Sequence, residues 1–408
     1  MTGYQQILNT PWPSSLDSFE GVPDLFEPRV KPEEHGPARR VAHDALAWAG
    51  DVAPGLLMAC ALAVVGHWAS NRAGRWMHYD KSPISPIMLA VLLGLIVRNT
   101  VGVPKVYEAG LRLCMKTLLR LGIVLLGLGL SAQAVAKVGL IGLPIIACCI
   151  VTALLAVTFI NRALGLPRRL GTLIAVGTSI CGVSAIVATA PAIGAEDDET
   201  SYAVACITIF GLLALFTYPL LAYHLFETPS QVGLFLGTAI HDTSQVAGAG
   251  LTYFQQHGAK EAMDAAVVVK LVRNTSMGLL IPIMALVYLR SGDAPAAASR
   301  AARQKWHHVV PLFVLGFLLM ACLRSLGDMD TPRALGVFDR TTWGEIVDRV
   351  AAAAPWLLAL AMAAVGLGTG LARLHKLGWK PFSVGFAAAV LVGGVSALLI
   401  KLMSGFID

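Results

Sequence analysis

Apolar runs about as long as a lipid bilayer is thick recur along this chain, separated by short polar segments. An α-helix needs about 20 apolar residues to cross ~30 Å of hydrocarbon. About eleven runs qualify: roughly 53–70, 84–98, 117–132, 139–160, 170–192, 202–223, 231–251, 264–289, 308–324, 351–371 and 382–404. The pattern predicts an all-α, polytopic transmembrane helical bundle. Two of the runs are interrupted. Residues 177–188 read GTSICGVSAIVA and residues 237–248 read GTAIHDTSQVAG. Both place Gly, Thr and Ser in the middle of an apolar stretch. Irregular backbone at that depth survives only inside protein or beside water, because an unpartnered amide in hydrocarbon costs several kcal/mol. Both runs are therefore expected to be broken helices.

The two interrupted stretches also share the pattern G-T-x-I-x-x-x-S, which suggests an internal repeat. A weaker pair, GLGLSAQAVAKVG (127–139) and GLGTGLARLHKLG (366–378), lies in opposite senses by the eleven-span count. Inverted repeats with broken helices at the midplane are the common architecture of secondary transporters. The tetrapeptide VRNT, at 97–100 and 272–275, falls in two runs of the same sense and does not fit that scheme.

Composition agrees with a membrane protein. The chain has 408 residues, 56% hydrophobic and 14% charged, against about 45–50% and 25% for soluble domains. The net charge of +6 needs no nucleic acid to explain it, because Lys and Arg gather in cytoplasmic loops. The loops 161–169, 290–305 and 373–380 carry that excess, and eleven spans put all three on one side. The N-terminus is then cytoplasmic and the C-terminus periplasmic. Residues 1–50 are Pro-rich with mixed charges and no apolar h-region, so they read as a flexible cytoplasmic tail rather than a signal peptide. Residues 51–408 form the transmembrane domain.

The candidate chemistry lies in the interrupted runs and in the one that follows them. Half-helices that end in mid-membrane aim N-terminal amides at an anion. The hydroxyls of Thr178, Ser179, Ser184, Thr238, Thr243 and Ser244, with the amide of Gln245, add donors. Lys270, Arg273 and Asn274 fall at i, i+3 and i+4 and share one helix face. They read as a fixed cationic site, an Arg fork suiting an oxyanion. A buried ion pair with Asp242 or Asp264 and snorkelling of Lys270 remain open as alternatives, as does plain helix packing for the Gly-Thr stretches. His241 and Asp242 are candidates for coupling to protons or sodium. The acidic cluster EDDET (196–200) reads as a solvated rim. Seven cysteines without a CxxC suggest neither disulfide nor zinc site. No enzyme signature and no cofactor or metal motif is present.

The stretches GTSICGVSAIVATAPAIGAEDDETSYAVA, FGLLALFTYPLL, GTAIHDTSQVAGAG and KLVRNT resemble the YeiH-type, or UPF0324, inner-membrane proteins, a family labelled as sulfate exporters. The resemblance covers roughly residues 55–405. It implies a multi-pass protein of the bacterial plasma membrane with ten or eleven spans. The expected function is secondary transport, in the export direction, of a small anion such as sulfate, sulfite or a sulfonate. The alternatives are a proton- or sodium-coupled cation antiporter and a non-transporting receptor or scaffold. The expected partners are the anion, the lipid bilayer, a coupling proton or sodium ion, and a second copy of the chain in a homo-oligomer.

Overall fold

The computed structural model describes residues 37–76, 85–290, 312–329, 334–335, 337–370 and 379–407. Most of the loop 290–305, the loop segment 373–378 and most of the N-terminal tail lie outside these residues.

Every extended element among them is a helix; an isolated bridge between Ala334 and Phe338 is the exception. In chain order they are α1 (Pro37–Trp76), α2 (Pro86–Thr100), α3 (Glu108–Leu113), α4 (Leu119–Leu126), α5 (Ala132–Ala163), α6 (Arg168–Ser179), α7 (Val183–Ile193) and α8 (Asp197–Leu225). Then follow α9 (Pro229–Ala239), α10 (Thr243–His257), α11 (Lys260–Thr275), α12 (Met277–Arg290), α13 (Leu312–Gly327), α14 (Arg340–Gly368) and α15 (Trp379–Leu402), with a final turn at Ser404–Ile407. A π-helical turn, Cys114–Leu118, joins α3 to α4. Helix starts carry the expected caps: the Ser85 hydroxyl accepts from Ile87 N with Pro86 in the first turn of α2, and Ser131 accepts from Ala134 N at α5. The acidic cluster is also a cap. Glu196 and Glu199 form a reciprocal capping box at the start of α8.

Six helical segments are long and apolar enough to cross a membrane: Asp44–Trp76, Ala132–Ala163, Asp197–Leu225, Lys260–Tyr288, Arg340–Gly368 and Trp379–Leu402. Pro86–Thr100, Val183–Ile193 and Leu312–Gly327 are shorter apolar helices. Large apolar side chains such as Leu155, Phe159, Leu220 and Leu319 are exposed on the outside of the bundle, as a lipid-facing surface requires.

The two interrupted runs break where the sequence says they should, at Ile180–Gly182 and Ile240–Asp242. Neither continues in its original direction. Thr172 at the start of α6 bonds the Tyr288 hydroxyl at 2.7 Å, and the Arg168 guanidinium sits 5.1 Å above the same ring. Ser179, at the other end of α6, meets Arg273. The second half, α7, turns back and joins α8 through Gly194 in the left-handed region. Next, α9 runs alongside α11. Gly233 and Gly237 lie so close that an added Cβ would stand 2.7 Å from the Ala262 and Ala266 carbonyls. Finally, α10 returns antiparallel, from Thr243 beside Asn274 to His257, which stacks on Tyr223 at 4.4 Å. Each run is thus a hairpin of two half-helices. The first enters from the end of the bundle that holds Arg168 and Tyr288; the second enters from the end that holds His257 and Lys260. Their tips meet halfway. The two stretches that share G-T-x-I thus enter in opposite senses; the second copy of the weaker pair, at 366–378, runs into residues outside those described.

The remaining helices form two packed groups. One contains α1 to α4 with α13 and α14; the other wraps α5, α8, α11, α12 and α15 around the two hairpins.

Candidate functional site

A helix carries partial negative charge at its C-terminal end and partial positive charge at its N-terminal end. At each tip the first half-helix ends and the second begins, so the tips present both polarities within a few residues. The structure separates them onto two sides.

The C-terminal ends of α6 and α9 face α11. Lys270 and Arg273 are fully buried there, at 0% exposure. The Lys270 ammonium donates to the carbonyls of Ile180 at 2.9 Å and Ile240 at 3.0 Å, and to that of His241. Arg273 donates from Nε to Ser179 O at 2.8 Å, and from its terminal nitrogens to the Thr178, Thr238 and Ile240 carbonyls. Two cations thus satisfy six carbonyls drawn from both tips. The face shared by Lys270 and Arg273 is real, and it is turned onto backbone oxygens. No carboxylate lies within ion-pair distance of either residue among the described residues. Asn274, one position on, donates to Thr243 Oγ1 at 3.0 Å and pins the start of α10.

The N-terminal ends of α7 and α10 face the other way, into a cavity of about 370 Å³. Val183 and Ser184 line it from α7; Asp242, Thr243, Ser244 and Gln245 line it from the cap and first turn of α10. Thr208 of α8 also lines it, its hydroxyl donating to Val204 O at 2.8 Å. The opposite wall comes from the first helix group. Lys116 from the π turn and Arg120 from α4 bring charge, while Met115, Leu119, Ile123, Phe313 and Val365 make an apolar surface. Arg120 is also held 5.8 Å above the Phe313 ring. Asp242 supplies the one carboxylate in this lining, and it serves the α10 cap: its Oδ1 accepts from Ser244 N at 2.8 Å and from Ser244 Oγ at 2.5 Å. Gln245 is 2% exposed; its Nε2 donates to Thr208 O at 3.2 Å, and its Oε1 has no partner among the described residues.

The residues expected from sequence therefore divide. Ser184, Asp242, Thr243, Ser244 and Gln245 line the cavity. Thr178, Ser179 and Thr238 contribute carbonyls to the cations rather than donors to a ligand. The Thr238 hydroxyl is taken by Leu234 O and by Ser396 Oγ of α15. His241 is 1% exposed, with both ring nitrogens unpartnered among the described residues, and lies outside the lining. Neither Lys116 nor Arg120 was singled out from sequence: the hydropathy run starts at residue 117, which leaves Lys116 just outside it and Arg120 in its first turn. Their i, i+4 spacing was the available signal. The π turn adds one residue to the helix between them, and such insertions often mark functional sites. No group of three or more His, Cys, Asp or Glu among the described residues is arranged to hold a metal ion.

Comparison with known proteins agrees with the resemblance seen in the motifs. A family model described as Conserved hypothetical protein 698 matches residues 54–385. A UPF0324 membrane protein of Nitratidesulfovibrio vulgaris is 31% identical over 356 residues, covering 86% of this chain and 92% of its own. One from Agrobacterium fabrum is 32% identical over 372 residues (89% and 98%). Another from Pseudomonas aeruginosa is 34% identical over 358 residues (84% and 92%). No solved structure matches.

Proposed function

This chain belongs to the UPF0324 membrane protein family, and we propose that it is a secondary transporter of a small oxyanion-headed solute. One observation carries the reading. Two half-helix N-termini, entering from opposite ends of the bundle, open with Lys116 and Arg120 onto a single cavity. N-terminal amides and basic side chains both favour an anion. The negative ends of the same hairpins are sealed off by Lys270 and Arg273, so the field inside the cavity is positive.

The cavity's lining narrows the solute. The apolar wall of Leu119, Ile123, Phe313 and Val365 suits a sulfonate or similar organic anion with a short apolar tail better than bare sulfate. In the membrane the chain makes nine crossings: α1, α2, α3 with α4, α5, α8, α11 with α12, α13, α14 and α15. The two hairpins re-enter from opposite faces. The arginine-rich loop before α6 then lies in the cytoplasm, with the N-terminus inside and the C-terminus outside, in a bacterial inner membrane. The cavity opens toward the cytoplasmic side, the loading side for an exporter. Transport is driven by an ion gradient or the membrane potential.

The test is counterflow of a labelled alkanesulfonate in proteoliposomes. Replacing Lys116 and Arg120 together with Gln should cut uptake about tenfold or more, the equivalent of ~1.4 kcal/mol of lost binding. Undiminished uptake in that variant, or wild-type uptake of alkali cations in place of anions, would overturn the proposal.

A further inference from the structure

Lys270 makes three hydrogen bonds to three carbonyls, and those carbonyls come from both hairpin tips: Ile180 from the first, Ile240 and His241 from the second. Three acceptors around one nitrogen require three N–H donors, which only the charged ammonium supplies. A set of inward-facing backbone carbonyls is also the ligand field that strips water from an alkali ion. Without a cation, the negative ends of α6 and α9 would face each other across a buried gap. The tips can meet only around a positive charge. A free ion can provide one; here a side chain anchored on α11 does. Arg273 does not duplicate the role, because its bonds go mainly to carbonyls one or two residues earlier, at Thr178, Ser179 and Thr238. The nearest carboxylate on the tips, Asp242, has its Oδ1 committed to Ser244.

We infer that the Lys270 ammonium is a tethered cation occupying a carbonyl cage where the two hairpin tips meet. The protein therefore needs no alkali cation to assemble its site, and the cage becomes a binding site for a small monovalent cation when the side chain is cut back. The first consequence concerns the wild type. Exchanging all Na⁺ and K⁺ for N-methyl-D-glucamine should leave its thermal stability unchanged. The second concerns the cage alone. Lys270→Ala should lower the unfolding temperature in N-methyl-D-glucamine chloride, and ammonium or sodium chloride at the same ionic strength should restore much of the loss, by preferential binding to the folded state. Lys270→Met, which fills the space with an apolar chain, should be destabilised and gain nothing from either cation.

A wild type that loses thermal stability without Na⁺ or K⁺ would overturn the inference, and this result is available even if no Lys270 variant folds. A Lys270→Ala variant that folds normally in the absence of small cations would overturn it too, as would one that no small cation restores. Absence of any anion flux in the wild type would instead defeat the transporter reading and leave the stability comparison to judge the cage.

Discussion

Arg273 and Lys116 carry the same charge in opposite circumstances, and the difference decides what each substitution should do. Arg273 is fully buried, and its guanidinium satisfies carbonyls at the ends of two half-helices. Each carbonyl left without a donor costs on the order of 1–3 kcal/mol. Arg273→Met should therefore lower the unfolding temperature of the purified protein markedly, by thermal denaturation in detergent, whether or not an anion is present. Arg273→Lys keeps the charge but loses the fork that reaches both tips, so it should recover only part of that loss. Lys116 is exposed at the cavity and has no such duty. Lys116→Gln should leave unfolding unchanged in the absence of ligand and reduce the stabilisation gained from added alkanesulfonate. The reverse pattern, a silent Arg273 and a destabilising Lys116, would place the cationic site on α11 after all. That Lys270 and Arg273 share a helix face was legible in sequence. Which atoms they would meet was not, because backbone carbonyls carry no sequence signature.

At the scale of the element, the hairpin tips depend on Gly182. Its φ of +74° lies where residues with a Cβ are strained, and a Cβ there would stand 2.9 Å from an Asp242 carboxylate oxygen. Gly182→Ala must distort its own tip and push the neighbouring one. Transport should fall by at least about tenfold, with Gly182→Val worse; an active Gly182→Val would mean that the tips do not need this approach. The breaks themselves were visible, since Gly, Thr and Ser interrupt apolar runs at 177–188 and 237–248. Their direction was not. The run 170–192 has the length of a crossing helix, yet it folds as two half-helices, Arg168–Ser179 and Val183–Ile193. Hydropathy measures depth and cannot distinguish descending through a bilayer from descending and returning. Crossing would put the start of α8 outside, whereas re-entry puts it inside. A single cysteine at Glu199, beside the α8 cap, should thus react with an impermeant maleimide only from the cytoplasmic side. Labelling from the periplasm of intact cells would restore the crossing topology.

At the scale of the whole molecule, the cavity lies between the two helix groups. Toward the Arg168 end they part around Lys116, Arg120, Val183 and Ser184. Toward the His257 end they meet. There the Ser85 hydroxyl donates to Gln255 Oε1 at 2.7 Å, joining α2 to α10, and Gly248 of α10 packs against Met362 of α14. A smaller cavity of about 190 Å³ lies beyond that contact, bordered by His67, Gln255 and Trp356. Under the proposed transport function, this asymmetry fits a carrier loaded from one face, and the closed contact must open for release if one group moves against the other. The contact can be made permanent. In a background without the exposed Cys60, Cys148 and Cys322, Ser85→Cys and Gln255→Cys can be joined by a short bis-methanethiosulfonate, which forms a disulfide to each thiol and releases methanesulfinate. The joined protein should still be stabilised by added anion, because its cavity remains open on the loading side, but flux should stop until the link is reduced. Loss of flux together with loss of anion stabilisation would indicate a damaged site. Unimpeded flux across the linked pair would show that release does not pass between α2 and α10, and the division of the bundle into two moving groups would have to be redrawn around a different seam.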